Sequence, residues 1–175
     1  MGRFREAIKS LETAIHLNPF PPASFFLNLG RACIYTGRTN EAIEVAKKAI
    51  NLDAGIAEAH FVLGDAFIAA GKSGGALSEL DKALSLTQNP PPWHIGHKAV
   101  GLVNTGKIEE AVASVKDMVS SRPDDAWGYM YFAYVLCLIG RHEEALQMAQ
   151  KTATLQIGPY TEPSIKLLSG LSYGF

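Results

Sequence analysis

Five glycines, Gly2, Gly37, Gly71, Gly106 and Gly140, divide the chain at a nearly constant interval of about 34 residues. Five positions after each stands an alanine: Ala7, Ala42, Ala76, Ala111 and Ala145. Nine after each stands Leu11, Ala46, Leu80, Val115 or Ala149, and twelve after each stands Ala14, Ala49, Ala83, Met118 or Thr152. A period of this size means one supersecondary unit copied along the chain, each copy burying what its neighbour leaves open. It excludes most closed single-core architectures at once.

The copy between Ala57 and Leu86 shows what the unit is. Leu63, Gly64 and Phe67 before Gly71, and Ala76, Leu80 and Ala83 after it, recur at the three- and four-residue spacing of a helix face. Gly71 stands where a helix C-terminus calls for a left-handed residue. Small side chains at Gly64, Ala76 and Ala83 let two helices approach closely, while Leu63, Phe67 and Leu80 fill the space beside them. The unit is therefore a helical hairpin.

A leucine-glycine pair, an aromatic residue, alanines at the hairpin contact and a closing proline at Pro19 and Pro123 together resemble the tetratricopeptide repeat. The resemblance implies an all-α fold, a right-handed α-solenoid of helix-turn-helix repeats. Laid over the chain, it gives one superhelical domain of residues 1–175: a half repeat at 1–22, repeats at 23–56, 57–91, 92–125 and 126–159, and a capping helix within 160–175. The opening helix, Arg3 to Leu17, matches only the second half of a repeat, so Ile8, Leu11 and Ile15 are expected to show an unpaired apolar face able to support homo-oligomerisation. Prolines 90 to 92 break the chain before a helix over Trp93 to Thr105 that carries Gly96 and Gly101, each costing about 1 kcal/mol against alanine. With Lys98 in the slot of Leu29, Leu63 and Phe132, this is expected to be the least stable first helix. Asp124 and Asp125 supply a carboxylate to cap the next helix.

In tetratricopeptide arrays the first helix of each pair lines a concave groove that holds extended peptides or partner helices. By register from the turn glycines, the resemblance implies a lining of Asn28, Arg31 and Tyr35, then Phe61, Asp65 and Ile68, then Trp93, His97, Val100 and Asn104, and finally Trp127, Met130, Tyr131 and Tyr134. Such a groove is aromatic toward its C-terminal half, and inward Trp or Tyr side chains are typical interaction anchors. The competing reading is that half of these rings pack between neighbouring helices. The family's chaperone-tail clamp of lysine, arginine and asparagine is not expected, because Phe61, Asp65, Val100 and Met130 occupy the matching central positions.

Composition narrows the remaining choices. The formal net charge of −1 gives no general attraction to nucleic acid or anionic membrane. No run approaches the roughly 18 apolar residues of a membrane span, and no signal peptide opens the sequence, so the expected location is cytoplasmic. Cys33 and Cys137 read as reduced, partly buried thiols. His94 and His97 lack the further ligands of a metal site, and Glu109, Glu110, Glu143 and Glu144 read as charges favouring helix N-termini. Phosphate-binding glycine loops and nucleophile motifs are absent, so neither an enzyme nor a cofactor is expected.

A narrower likeness lies in Asn18 to Pro22 entering Phe26, Leu29 and Gly30, and in the closing run Pro159, Tyr160 to Leu168, Gly170 and Leu171. These resemble tetratricopeptide tails found behind catalytic domains of bacterial signalling proteins, notably class III adenylate cyclases. That likeness implies a regulatory or docking module of a larger bacterial protein.

Overall fold

A computed structural model describes residues 2–155, and every regular element among them is an α-helix. The expected cap within 160–175 and the closing run from Pro159 lie outside the described residues. The chain divides into two compact units, Met1–Asn89 and Pro90–Phe175.

The first unit contains α1 (Gly2–Leu17), α2 (Ala23–Tyr35), α3 (Thr39–Leu52), α4 (Ala57–Ala69) and α5 (Ser73–Ser85). Helices α2 and α3 form one hairpin and α4 and α5 the next, with α2 also packed on α4. Gly37 and Gly71 adopt φ of 76° and 71° at the hinges. The positive φ lets the chain reverse so that Arg38 N–H reaches the Cys33 carbonyl at 2.9 Å and Lys72 N–H reaches that of Phe67 at 2.8 Å, closing the last helical turn. Past each hinge the alanine of the ladder, Ala42 or Ala76, is wholly buried.

Gly64 shows why the hairpin needs a small residue. A methyl group built on it would lie 2.6 Å from Leu80 Cγ and 3.3 Å from the Ala76 carbonyl oxygen, so Leu80 occupies the volume that glycine leaves vacant. His60 fastens the same hairpin, its ring nitrogens facing acceptor oxygens of Glu79 at 2.6 Å and Ala54 at 3.1 Å. Burial pushes the Glu79 carboxyl upward, but hydrogen bonds from Lys82 and His60 outweigh it and hold the group below its ordinary 4.5. That contribution to stability is present above about pH 4.5 and fades as the pH falls below it.

The opening helix departs from expectation. Rather than standing unpaired, Ile8 is 3% exposed, and Leu11 and Ile15 pack partly buried against the same core. Helix α2 lies against α1 and covers that face.

Cys33 lies at the centre of this unit, fully buried. Burial, reinforced by the charge of Glu41, raises its thiol to about 11. Cys137, in the second unit, is only half-buried. Titration of the native chain with a thiol reagent at about pH 8 is expected to modify Cys137 first, with Cys33 reacting only as fast as the core opens. Equal rates at both thiols would contradict this packing.

The second unit contains α6 (Pro92–Asn104), α7 (Ile108–Ser121), α8 (Ala126–Leu138) and α9 (His142–Thr154). Pro92 is the first residue of α6, where its missing N–H has no helical partner to lose. The same triplet that forbids helix continuation thus starts the next helix. Gly106 and Gly140 repeat the hinge with φ of 78° at each, and Ala111 and Ala145 fill the buried hairpin position. Asp125 caps α8 by accepting from the Trp127 N–H at 2.9 Å. Arg122 donates to the Pro90 carbonyl at 3.0 Å, tying the end of α7 to the approach to α6. Glu109, Glu110, Glu143 and Glu144 all fall in first helical turns.

Candidate partner-binding site

The strongest side-chain grouping lies on α6 and α8. Trp93 meets Trp127 edge to face with ring centroids 6.4 Å apart, and His97 lies 5.3 Å from Tyr131. One turn separates the tiers along each helix, and one repeat period separates the members of each tier. Sequence alone placed these four in one lining. The structure adds that they touch in pairs. Trp93 is 40% exposed and the other three are half-buried, so this rigid aromatic surface remains within reach of a partner.

Gly96 allows the tiers to form. A methyl group on Gly96 would lie 2.1 Å from Tyr131 Cγ, so the phenol ring rests directly on the α6 backbone. The residue read from sequence as a weakness of α6 is also the place where α8 is admitted. Beside Trp127, the turn Arg122 to Asp125 and Leu155 enclose a shallow hollow of about 540 Å³.

Other sequence-selected residues have different surroundings. Met130 and Tyr134, like Met148, pack partly buried against the Ala133–Ala149 cluster of the α8–α9 seam. Val100 is buried, and Asn104 is exposed at the end of α6. In the first unit Phe61, at 5% exposure, is a core side chain packed with Leu80, Ala83 and Ile68 rather than a lining one. Asp65 is half-buried. Arg31 forms an ion pair with Glu58 of α4 and donates to Asn28 at 3.4 Å, so its charge is already matched within the unit. Tyr35 is 67% exposed and stacks on Phe4 with centroids 5.1 Å apart. Neither Phe4 nor Glu58 was selected from sequence. Both come from helices whose apposition only the packing reveals.

Residues 1–55 and 27–91 match the tetratricopeptide repeat. The chain belongs to the tetratricopeptide repeat family. Its fold agrees with that of TTC0263, a thermophilic tetratricopeptide protein of Thermus thermophilus, at 21% identity and a TM-score of 0.81, over 98% of this chain and 91% of that one. MamA (MSR-1) matches at 28% identity and a TM-score of 0.60, over 88% of this chain and 87% of its own. YrrB, described as a tetratricopeptide protein with an unusual peptide-binding site, matches at 19% identity and a TM-score of 0.60, over 95% of this chain and 83% of its own. Comparison with curated protein sequences finds no match. Tetratricopeptide folds are protein–protein interaction scaffolds, and no helix among the described residues is long and apolar enough to cross a membrane.

Proposed function

We propose that this tetratricopeptide chain is a non-enzymatic scaffold that holds a partner peptide or helix against the aromatic tiers of α6 and α8. The observation that carries the reading is the paired arrangement of Trp93 with Trp127 and His97 with Tyr131. Large rings held by packing lose little conformational freedom on binding, so an aliphatic or aromatic partner side chain seated between tiers gains contact area at small entropic cost.

Both tryptophans of the chain lie in this surface, so intrinsic fluorescence reports directly on its occupancy. For partners captured from the source proteome, Trp127→Ala is expected to weaken binding at least about tenfold, corresponding to roughly 1.4 kcal/mol or more. Unchanged affinities in both Trp127→Ala and Trp93→Ala chains, with unchanged fluorescence on binding, would overturn the proposal.

A further inference from the structure

The aromatic tiers of α6 and α8 have a chemistry that selects among partners. Helix α8 carries no charged residue, and α6 carries Lys98 alone besides its two histidines. The charged residues lining the hollow beside Trp127 add little. Arg122 donates to the Pro90 carbonyl, Asp125 is engaged as the cap of α8, and Asp124 is exposed to solvent. A strongly charged segment laid over the tiers would lose hydration and find little countercharge there.

Hydrogen-bonding groups narrow the choice further. Trp93 and Trp127 each present an indole N–H, a group that can only donate. Among the described residues neither indole donates to another group. The backbone carbonyls of α6 and α8 are used within their own helices. An ordinary extended peptide brings N–H groups for which the tiers hold few acceptors, and a helical partner brings carbonyls already bonded internally. A proline-rich segment brings the reverse: carbonyls without internal partners, no N–H at each proline, and a conformation set before binding, so that little freedom is lost. Its pyrrolidine rings supply apolar area to the aromatic faces.

The chain contains one pairing of this kind. Pro91, two residues ahead of Trp93, has φ −65° and ψ 153°, the polyproline conformation. Arg122 donates to the Pro90 carbonyl beside it at 3.0 Å. A proline run whose carbonyl takes a side-chain donor thus leads directly into the aromatic surface.

We propose that the partner segment held by these tiers is proline-rich and docks in the polyproline conformation, with carbonyls accepting from the Trp93 and Trp127 indole N–H groups. This rests on the scaffold reading above and specifies its ligand.

The test uses the full chain and, as probe, decaproline, which has no fluorescence of its own, so that tryptophan emission reports binding. An uncharged helical peptide of alanine, leucine and glutamine is the comparison. Saturable binding of decaproline is expected, at least about tenfold tighter than that of the helical peptide. Trp127→Phe keeps a ring in place but removes the N–H, and should weaken decaproline binding about three- to tenfold with helix content unchanged. Trp93→Phe should act in the same way. Absence of decaproline binding at millimolar concentration, helical peptide bound as tightly or more tightly, or affinity indifferent to both phenylalanine variants would overturn the proposal. Partners captured from the source proteome separate this failure from that of the scaffold. Partners that depend on Trp127 but are not displaced by decaproline would leave the scaffold standing and reject the proline-rich ligand, whereas partners indifferent to Trp127→Ala and Trp93→Ala would reject both.

Discussion

Leu80→Ala is expected to lower stability by about 2–5 kcal/mol, the range for emptying a fully enclosed leucine site. Leu80 is wholly buried between α4 and α5, and its branched end fills the space opposite Gly64. Chemical denaturation of the parent and variant provides the measurement, and a variant melting like the parent would show that the hairpin register is wrong. The same contact makes a sharper prediction about coupling. Gly64→Ala alone forces a methyl group to within 2.6 Å of Leu80 Cγ and should destabilise the hairpin, but with Leu80 already reduced to alanine the methyl group keeps only its 3.3 Å approach to the Ala76 carbonyl oxygen. The double variant should therefore be more stable than the sum of the single effects implies, by an interaction energy within the roughly 0.5–3 kcal/mol seen for touching residues.

Gly96→Ala is expected to destabilise the second unit, against the sign that helix propensity alone would give. Alanine in a helix interior is favoured over glycine by about 1 kcal/mol. Here the added carbon would stand 2.1 Å from Tyr131 Cγ, 2.3 Å from Cδ1 and 2.6 Å from Cδ2, so either the Tyr131 ring must leave its rotamer or α8 must shift. Overpacking of that kind costs about 1–3 kcal/mol, which outweighs the propensity gain. Gly74→Ala is the control: it lies in α5 with nothing within 4 Å of the added methyl group. It should stabilise by about 0.4–1 kcal/mol. Thermal unfolding of both variants tests the opposition of sign. If Gly96→Ala raises the melting temperature, α6 and α8 do not approach as described. Because Tyr131 also meets His97, the variant should disturb the aromatic tier as well as the fold.

The hairpins were legible in sequence because their determinants repeat in register. Gly37, Gly71, Gly106 and Gly140 mark hinges, and the alanines five positions later mark buried hairpin contacts, so four weak local signals reinforce one another. The aromatic surface was legible in part. Trp93, His97, Trp127 and Tyr131 could be placed on first helices from the period, but the period does not say how far each ring is from its counterpart. Tyr134 and Met130 share the helix with Trp127, yet a small rotation about the axis turns them into the α8–α9 seam. Phe61 was displaced from the surface for the opposite reason: Leu80 and Ala83 leave room for it in the core. Gly96 was read through its own helix, where it is a cost, whereas its use lies on a neighbouring one that sequence periodicity does not display.

The step from one first helix to the next has an evolutionary consequence. Within the first unit α2 rests on α4, and within the second α6 rests on α8, each pair offset by about one period. A tandem duplication of one such block would bring with it both the surface that fits its predecessor and the surface that fits its successor. Such a gene could lengthen or shorten by whole modules without inventing a new interior, whereas gain or loss of a single residue within a helix would turn its matched faces out of register.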